Sequence, residues 1–115
     1  MNIKIIGKKI TESELREIAK DFYGDMVKGV VDIERGIIAM GGEYHMDANM
    51  VIIENGSKQQ NVWGINIKPD ERGNEFIEFD SLINIKPNQN NRTRGVEDTI
   101  VKGKIVEIVN KLVHD

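Results

Sequence analysis

The sequence predicts an α+β fold of two layers, in which a mostly antiparallel sheet of about five or six strands carries two helices on one face. The predicted order of elements is β-α-β-β-β-β-β-α. Apolar and polar residues alternate in several short segments that are separated by turn signals, as in strands. Two longer segments, one near each end, instead have apolar residues at helical spacing. With 115 residues the chain predicts a single domain, 1–115, because two separate cores would each be marginal.

The first strand and the first helix are predicted in the first quarter of the chain. Residues 2–6 are rich in isoleucine and indicate a short buried strand. Thr11 and Glu14 have the spacing of a capping box, in which their side chains bond the free amides of a helix start. Gly24 suits the left-handed cap at the end of that helix. The apolar residues at helical spacing in between are Leu15, Ile18, Ala19 and Phe22.

The segment 26–46 predicts a β-hairpin with a tight turn at Arg35-Gly36. We pair Glu34 with Ile37 in this hairpin, and because strand side chains alternate, each strand then has one apolar and one polar face. The predicted apolar face contains Val31, Ile33, Ile38, Met40, Tyr44 and Met46. The predicted polar face contains Lys28, Asp32, Glu43, His45 and Asp47.

Three further strands are predicted, over residues 48–54, 62–68 and 76–85. Trp63 lies on the apolar side of its strand and is interpreted as a core residue. The register predicted for the last two strands places Asn66 opposite Glu78. In the same register Gly64 lies opposite Asp80, and its missing side chain leaves room above that carboxylate. With both helices on the apolar face, the polar face of the sheet would be open and is the expected functional surface.

The last predicted helix covers residues 98–113, with Asp98 as its N-cap. Gly103 weakens a helix interior by about 1 kcal/mol relative to alanine, so the sequence predicts a packing reason for it. The buried stripe of this helix is predicted to contain Val101, Ile105, Ile108, Val109 and Leu112.

Glu43, His45 and Asp47 are spaced by two, so an extended strand would project them to one side. Imidazole with carboxylates suits a divalent metal, or acid–base catalysis in which His45 acts with Asp47 or Asp80. The chain has no cysteine, which argues against a closed structural zinc site. The favoured interpretation is a solvated face on which Lys28 and Glu43 form a cross-strand ion pair.

Glu78 and Asp80 are also two residues apart on one predicted strand. Such carboxylates can divide acid and base roles or bridge a cation. Solvent-facing acids on an open sheet give the same pattern, and this second interpretation is favoured.

The loop 86–96 is the stronger functional candidate because it is long and rich in amides, and it contains two arginines. Arg92 and Arg94 can bind carboxylate or phosphate, and Gly95 permits close approach of the backbone. In the alternative, which is slightly favoured, either arginine folds back onto a carboxylate of the protein and pins the loop. A ligand held here would receive further polar contacts from Asn66, Glu78, Asp80 and Asn84.

Composition excludes several classes of function. The net charge is −3, and no basic stripe with interleaved aromatic residues is present, which argues against nucleic-acid binding. No apolar run approaches the roughly 18 residues that a bilayer-spanning segment needs. No cofactor is predicted. The absence of cysteine and of a secretory signal pattern predicts a cytoplasmic protein.

Four segments form the most distinctive pattern of the chain. They are Gly41-Gly42-Glu43-x-His45-x-Asp47, Asn55-Gly56-Ser57-x-Gln59, Trp63-Gly64-Ile65-Asn66 and the stretch 77–98. Together they resemble a small prokaryotic family classed as a domain of unknown function. The resemblance covers nearly the whole chain and implies no catalytic residue.

These observations leave three hypotheses. In the first, the chain is a small intracellular binding domain whose open sheet face and arginine loop hold an anionic small molecule or a protein partner. In the second, it is an acid–base or metal-assisted hydrolase that uses His45 with Asp47 or Asp80. In the third, apolar residues on the open face form a homodimer contact, through Val30, Ile37 and Ala39.

Overall fold

The structure is a computed structural model and describes residues 2–113. It has the predicted α+β class, with a five-stranded antiparallel sheet and three helices over these residues. The strands are β1 (Lys4–Ile6), β2 (Val27–Asp32), β3 (Ile37–Met40), β4 (Val62–Ile67) and β5 (Ile77–Glu78). The helices are α1 (Glu12–Lys20), α2 (His45–Glu54) and α3 (Thr99–Leu112). None of the described helices is long and apolar enough to cross a membrane.

The strand order is β1-β3-β2-β4-β5, and every neighbouring pair is antiparallel. In the β2–β3 hairpin Asp32 lies opposite Ile37, so the predicted pairing of Glu34 with Ile37 is wrong by two residues. The reason is the Asp32 carboxylate, which accepts hydrogen bonds from the Glu34 and Arg35 amides and widens the turn. Because the shift is two residues, the side chains of β2 and β3 stay on their predicted faces.

One face of the sheet carries the main core, which α1 and α3 cover as predicted. Thr11 caps α1 by accepting from the Glu14 amide at 3.1 Å, and Asp98 caps α3 by accepting from the Ile100 amide at 2.8 Å. Trp63 is a core residue as predicted, with 3% of its surface exposed. The residues buried on this face include Leu15, Ile18, Val31, Ile38, Met40, Ile65, Ile67, Ile105 and Val109.

The segment predicted to extend the hairpin and then form a strand over residues 48–54 is instead helix α2. Gly41 and Gly42 both have positive φ, so the chain leaves the sheet directly after β3. His45, Ala48 and Ile52 then follow at helical spacing, and all three are buried. The prediction that Tyr44 and Met46 lie on the apolar strand face is therefore wrong, and both side chains are exposed.

Helix α2 covers the second face of the sheet, so the predicted open face is wrong over most of its area. Ala48 and Ile52 pack there against Val30 and Ala39, which have no exposed surface. Ile37 packs against the same cluster. Val30 and Ala39 are therefore not accessible to the predicted homodimer contact, because a helix of the same chain occupies their face.

Strand β5 is shorter than predicted: it ends at Glu78 rather than at residue 85. The predicted pairing of Asn66 with Glu78 is confirmed. Gly64 is not paired with Asp80; instead Ser81 crosses over it, and a Cβ added to Gly64 would lie 2.5 Å from the Ser81 hydroxyl oxygen. The space that glycine leaves is therefore filled by the chain itself. A 3₁₀ helix over Leu82–Asn84 follows.

Candidate functional site

A row of polar side chains crosses the sheet beside the N-terminal end of α2. Lys28 on β2, Asn66 on β4 and Glu78 on β5 lie opposite one another on the face that α2 covers. The Lys28 ammonium is 3.4 Å from the Asn66 amide oxygen, and the Asn66 amide donates to Glu78 at 2.8 Å. We call Lys28, Asn66 and Glu78 the polar row. Three strands fix these positions, so the row is held on rigid elements.

Lys28 is the cation of the polar row without a carboxylate partner. Within residues 2–113, no carboxylate oxygen lies within 4.0 Å of its ammonium. The groups around Lys28 shift its pKa in opposite directions. Burial lowers the pKa of Lys28, whereas Asp80 and Glu78 raise it and Arg94 lowers it. The Tyr23 ring lies beside the ammonium, with its centroid at 5.4 Å.

His45, the first residue of α2, borders the polar row and is buried. Its Nε2 atom is 2.8 Å from the Ile65 carbonyl oxygen. Burial lowers the pKa of His45; the bond to Ile65 opposes this and Lys28 adds to it. The imidazole is therefore neutral at pH 7, and because a carbonyl only accepts, Nε2 carries the proton and Nδ1 the lone pair.

Glu78 is fully engaged within the protein. Lys68 donates to its second carboxylate oxygen at 3.1 Å, while Asn66 occupies the first. The bond from Asn66 and then that from Lys68 lower the pKa of Glu78, so this carboxylate is ionised at neutral pH. Glu78 thus orients Asn66 and does not provide a proton donor.

Arg94 and Asp80 form an ion pair at 2.7 Å, although both side chains are about half exposed. The predicted alternative, in which an arginine folds back onto a carboxylate, therefore describes Arg94. Arg92 differs from it. Its backbone N–H donates to Glu97 at 2.6 Å, but within residues 2–113 its guanidinium has no carboxylate at ion-pair distance.

Glu97 orders the turn between the two arginines. Its carboxylate accepts from the Arg92 and Thr93 amides, and these two bonds lower the pKa of Glu97. The turn is therefore held from inside by a carboxylate, so the backbone amides of Arg92 and Thr93 are already bonded and unavailable to a bound anion.

Asn84 is buried and has a structural role. Its amide oxygen accepts from the Gly64 N–H at 2.8 Å, and its amide nitrogen donates to the Gly64 carbonyl at 2.9 Å. The same nitrogen donates to the Arg94 carbonyl at 3.0 Å. These contacts use both N–H donors of the side chain, and because Asn84 has no exposed surface, its oxygen is out of reach of a ligand.

Glu43 and Asp47 do not join His45 in a site. The Asp47 carboxylate accepts from the Tyr44 amide at 3.1 Å and so caps α2. Glu43 is exposed, and its carbonyl accepts from the Tyr23 hydroxyl. No group of three or more histidine, aspartate or glutamate side chains in the described part of the chain could hold a metal ion. The metal hypothesis for Glu43, His45 and Asp47 therefore lacks a ligand set.

Sequence reasoning missed Lys86, a buried cation beneath the arginine loop. Its ammonium donates to the carbonyls of Gln59 at 2.7 Å and Val62 at 2.6 Å, and lies 4.2 Å from the centre of the Trp63 ring. Burial lowers the pKa of Lys86 to about 8. These contacts tie the start of the loop to β4. No local signal in the sequence indicated these contacts, because Gln59 and Val62 lie 27 and 24 positions before Lys86.

Lys28 was also missed as a site residue. It was expected to pair with Glu43 across an extended hairpin, but that hairpin ends at Met40. Its actual neighbour, Asn66, is 38 positions away in sequence. Only the pairing of β2 with β4 reveals the contact, and no local pattern encodes that pairing.

Two cavities lie away from the polar row, and His45, Asp80 and Arg94 line neither of them. The larger, about 1080 Å³, lies along α3. The smaller, about 370 Å³, lies beside Trp63 and Asn90. Neither of these two cavities therefore belongs to the polar row.

A family model described as "Protein of unknown function (DUF5674)" matches residues 4–112 of the chain. No curated protein and no solved structure was found to match the chain.

Proposed function

The chain belongs to this family of unknown function, and we propose that it is a binding domain that holds the carboxylate or phosphate group of a small molecule at Lys28. One observation carries the proposal. The Lys28 ammonium is half-buried between three strands and a helix, yet no carboxylate of the described chain lies at ion-pair distance. The contacts of this ammonium with Asn66 and Tyr23 are with neutral groups, so an anion from outside would stabilise the partly buried charge further.

The surroundings of Lys28 favour an anion. His45 begins α2, so the positive end of that helix dipole lies beside the polar row. The neutral His45 ring adds no charge of its own, whereas the carboxylates of Asp80 and Glu78, which raise the pKa of Lys28, oppose a bound anion. Arg94 contributes a second cation, although Asp80 already neutralises part of its charge.

Titration with inorganic phosphate and, separately, with acetate tests the proposal. NMR amide shifts of the ¹⁵N-labelled protein should change at Lys28, His45 and Asn66. Replacing Lys28 by methionine keeps the apolar stem and removes the charge, so we expect about a tenfold or greater loss of affinity, equal to about 1.4 kcal/mol. The two anions distinguish a phosphate ligand from a carboxylate one, and a carboxylate could also come from an acidic side chain of a protein partner.

Lys20→Met is the matched control, because Lys20 is an exposed lysine of α1 that pairs with Glu17 at 2.9 Å. It should bind phosphate and acetate as the unaltered protein does. Equal affinity in the Lys28 variant, or shifts confined to residues outside the polar row, would contradict the proposal.

An acid–base role for His45 is the second candidate. The bond to Ile65 fixes its tautomer, which is a property of catalytic histidines. The predicted partners are engaged elsewhere, however, because Asp47 caps α2 and Asp80 pairs with Arg94. Glutamine at position 45 can still donate to the Ile65 carbonyl. A faster hydrolysis of p-nitrophenyl acetate by the unaltered protein than by His45→Gln would favour catalysis over binding.

A further inference from the structure

A groove runs along the outer side of α3, on the opposite side of the sheet from the polar row. Its volume is about 1080 Å³, which matches the upper range of small-molecule sites. Its lining on α3 extends from Thr99 to Asn110, and eleven residue steps of helix span about 16 Å. The groove is therefore long enough to suit an extended chain.

The walls of the groove are mainly apolar. Phe76 and Phe79, in the segment before and after β5, form one wall, and Val106 on α3 forms the other. Both phenylalanines also pack against the main core, so this wall is held in place from behind. Val106 is 36% exposed, which is costly for an apolar side chain and is relieved if a ligand covers it.

Gly103 lies in the groove, in the middle of α3. The sequence predicted a packing reason for this glycine, and the structure contradicts that prediction. A Cβ added at Gly103 would meet no atom within 4 Å, so no neighbour requires its small size. What the missing side chain does provide is open space along the groove. A glycine that weakens the helix without a packing need is explained if the groove must remain open.

Two basic residues, Arg72 and Lys102, line the groove. The Lys102 ammonium lies 4.8 Å from the centre of the Phe79 ring, and no carboxylate of residues 2–113 lies at ion-pair distance from it. The other cation of the groove, Arg72, is already paired with Glu12 at 2.6 Å. Lys102 is thus the position where the anionic end of a ligand would be attracted.

We propose that this groove binds a fatty-acid-like carboxylate, with its head group at Lys102 and its apolar chain between Phe76, Phe79 and Val106. A groove with apolar walls, in which Lys102 has no carboxylate partner among residues 2–113, complements a molecule with one anionic head and an apolar tail. This site is separate from the polar row, so its test does not depend on anion binding at Lys28.

Calorimetric titration with decanoate, at concentrations below micelle formation, tests the inference. Acetate lacks the tail and decanol lacks the charge, so both should bind at least about tenfold more weakly than decanoate. Gly103→Leu fills the groove while improving helix propensity, so it should remain folded and lose decanoate binding by at least about tenfold.

Lys102→Met should also weaken decanoate binding several-fold, whereas Lys104→Met is the matched control. Lys104 is an exposed lysine of the same helix that does not line the groove, and its replacement should leave the affinity unchanged. The inference is overturned if decanoate fails to bind, or if the Gly103→Leu variant binds it as tightly as the unaltered protein.

Discussion

The side chain of Asn84 makes the hydrogen bonds that a longer strand β5, as the sequence predicts it, would make to Gly64. The N–H and carbonyl of Gly64 would bond to a neighbouring strand if β5 continued to residue 85. Instead the Asn84 amide group, which resembles a peptide group, accepts from one and donates to the other. The prediction of Asn84 as a ligand-binding residue is therefore unsupported by its contacts, and we assign it to the stability of the fold.

Replacing Asn84 by alanine should lower the free energy of unfolding by about 3 kcal/mol. The variant leaves the buried N–H and carbonyl of Gly64 without partners, at about 1–3 kcal/mol for each lost partner of this kind. The Arg94 carbonyl keeps its bond from the Ser81 amide. Urea denaturation measures the loss. Asn88→Ala is the control, since Asn88 is exposed and its replacement should cost less than 0.5 kcal/mol by the usual limit for surface changes. Equal effects of the two replacements would refute this role.

His45 illustrates how a residue can be predicted as a candidate for the wrong structural reason. The sequence placed it on a strand with Glu43 and Asp47 as neighbours. The structure places it at the start of a helix, bonded to Ile65 and next to Lys28. The residue stays in the candidate site, but its expected partners are replaced by others.

Among the elements, α1 and α3 could be predicted because each has a capping side chain and one apolar stripe. Thr11 and Asp98 bond the first free amides, as their types indicate. Helix α2 could not be predicted in the same way. Its polar residues alternate with apolar ones, and this pattern is also typical of a strand. The decisive signals were the two glycines before it and the spacing of its buried residues, His45, Ala48 and Ile52.

The pairing of strands that are distant in sequence could not be predicted from local sequence patterns. The alternation of β4 and β5 predicted the contact of Asn66 with Glu78 because a short turn joins these segments. The contact of Lys28 with Asn66 required β2 to lie between β3 and β4, and this order follows from packing of the whole core. For this reason Asn66 and Glu78 of the polar row could be predicted from the sequence, and its cation, Lys28, could not.

Helix α3 should become more stable when Gly103 is replaced by alanine. The added Cβ meets nothing within 4 Å, so the gain in helix propensity of up to about 1 kcal/mol is not offset by a clash. Urea denaturation should show a higher midpoint with an unchanged slope. A loss of stability would mean that the site is more crowded than the structure shows, and would remove the argument that this glycine keeps the groove open.

Across the whole molecule, the sheet separates two surfaces of different chemistry. The side covered by α2 presents the polar row with its unpaired Lys28, and the side covered by α1 and α3 presents the apolar groove with its unpaired Lys102. The chain carries a net charge of −3, yet each surface contains a lysine that has no carboxylate of residues 2–113 at ion-pair distance. This local arrangement, rather than the overall charge, is what favours anionic ligands.

An anion that binds beside Lys28 and His45 should change the pKa of His45, so this pKa reports whether the proposed site exists. NMR titration of the imidazole should give a pKa below 6.5 in the free protein, because burial and Lys28 disfavour the imidazolium form. Sulfate keeps its charge over this pH range, and its binding should raise the pKa of His45. By linkage, sulfate affinity should then increase as pH falls through that pKa.

Lys28→Met supplies the comparison, since it removes the cation that attracts the anion. In this variant we expect a higher pKa of His45 without sulfate and little further change when sulfate is added. A pKa of His45 that sulfate leaves unchanged in the unaltered protein, or raises equally in both proteins, would contradict an anion site at Lys28.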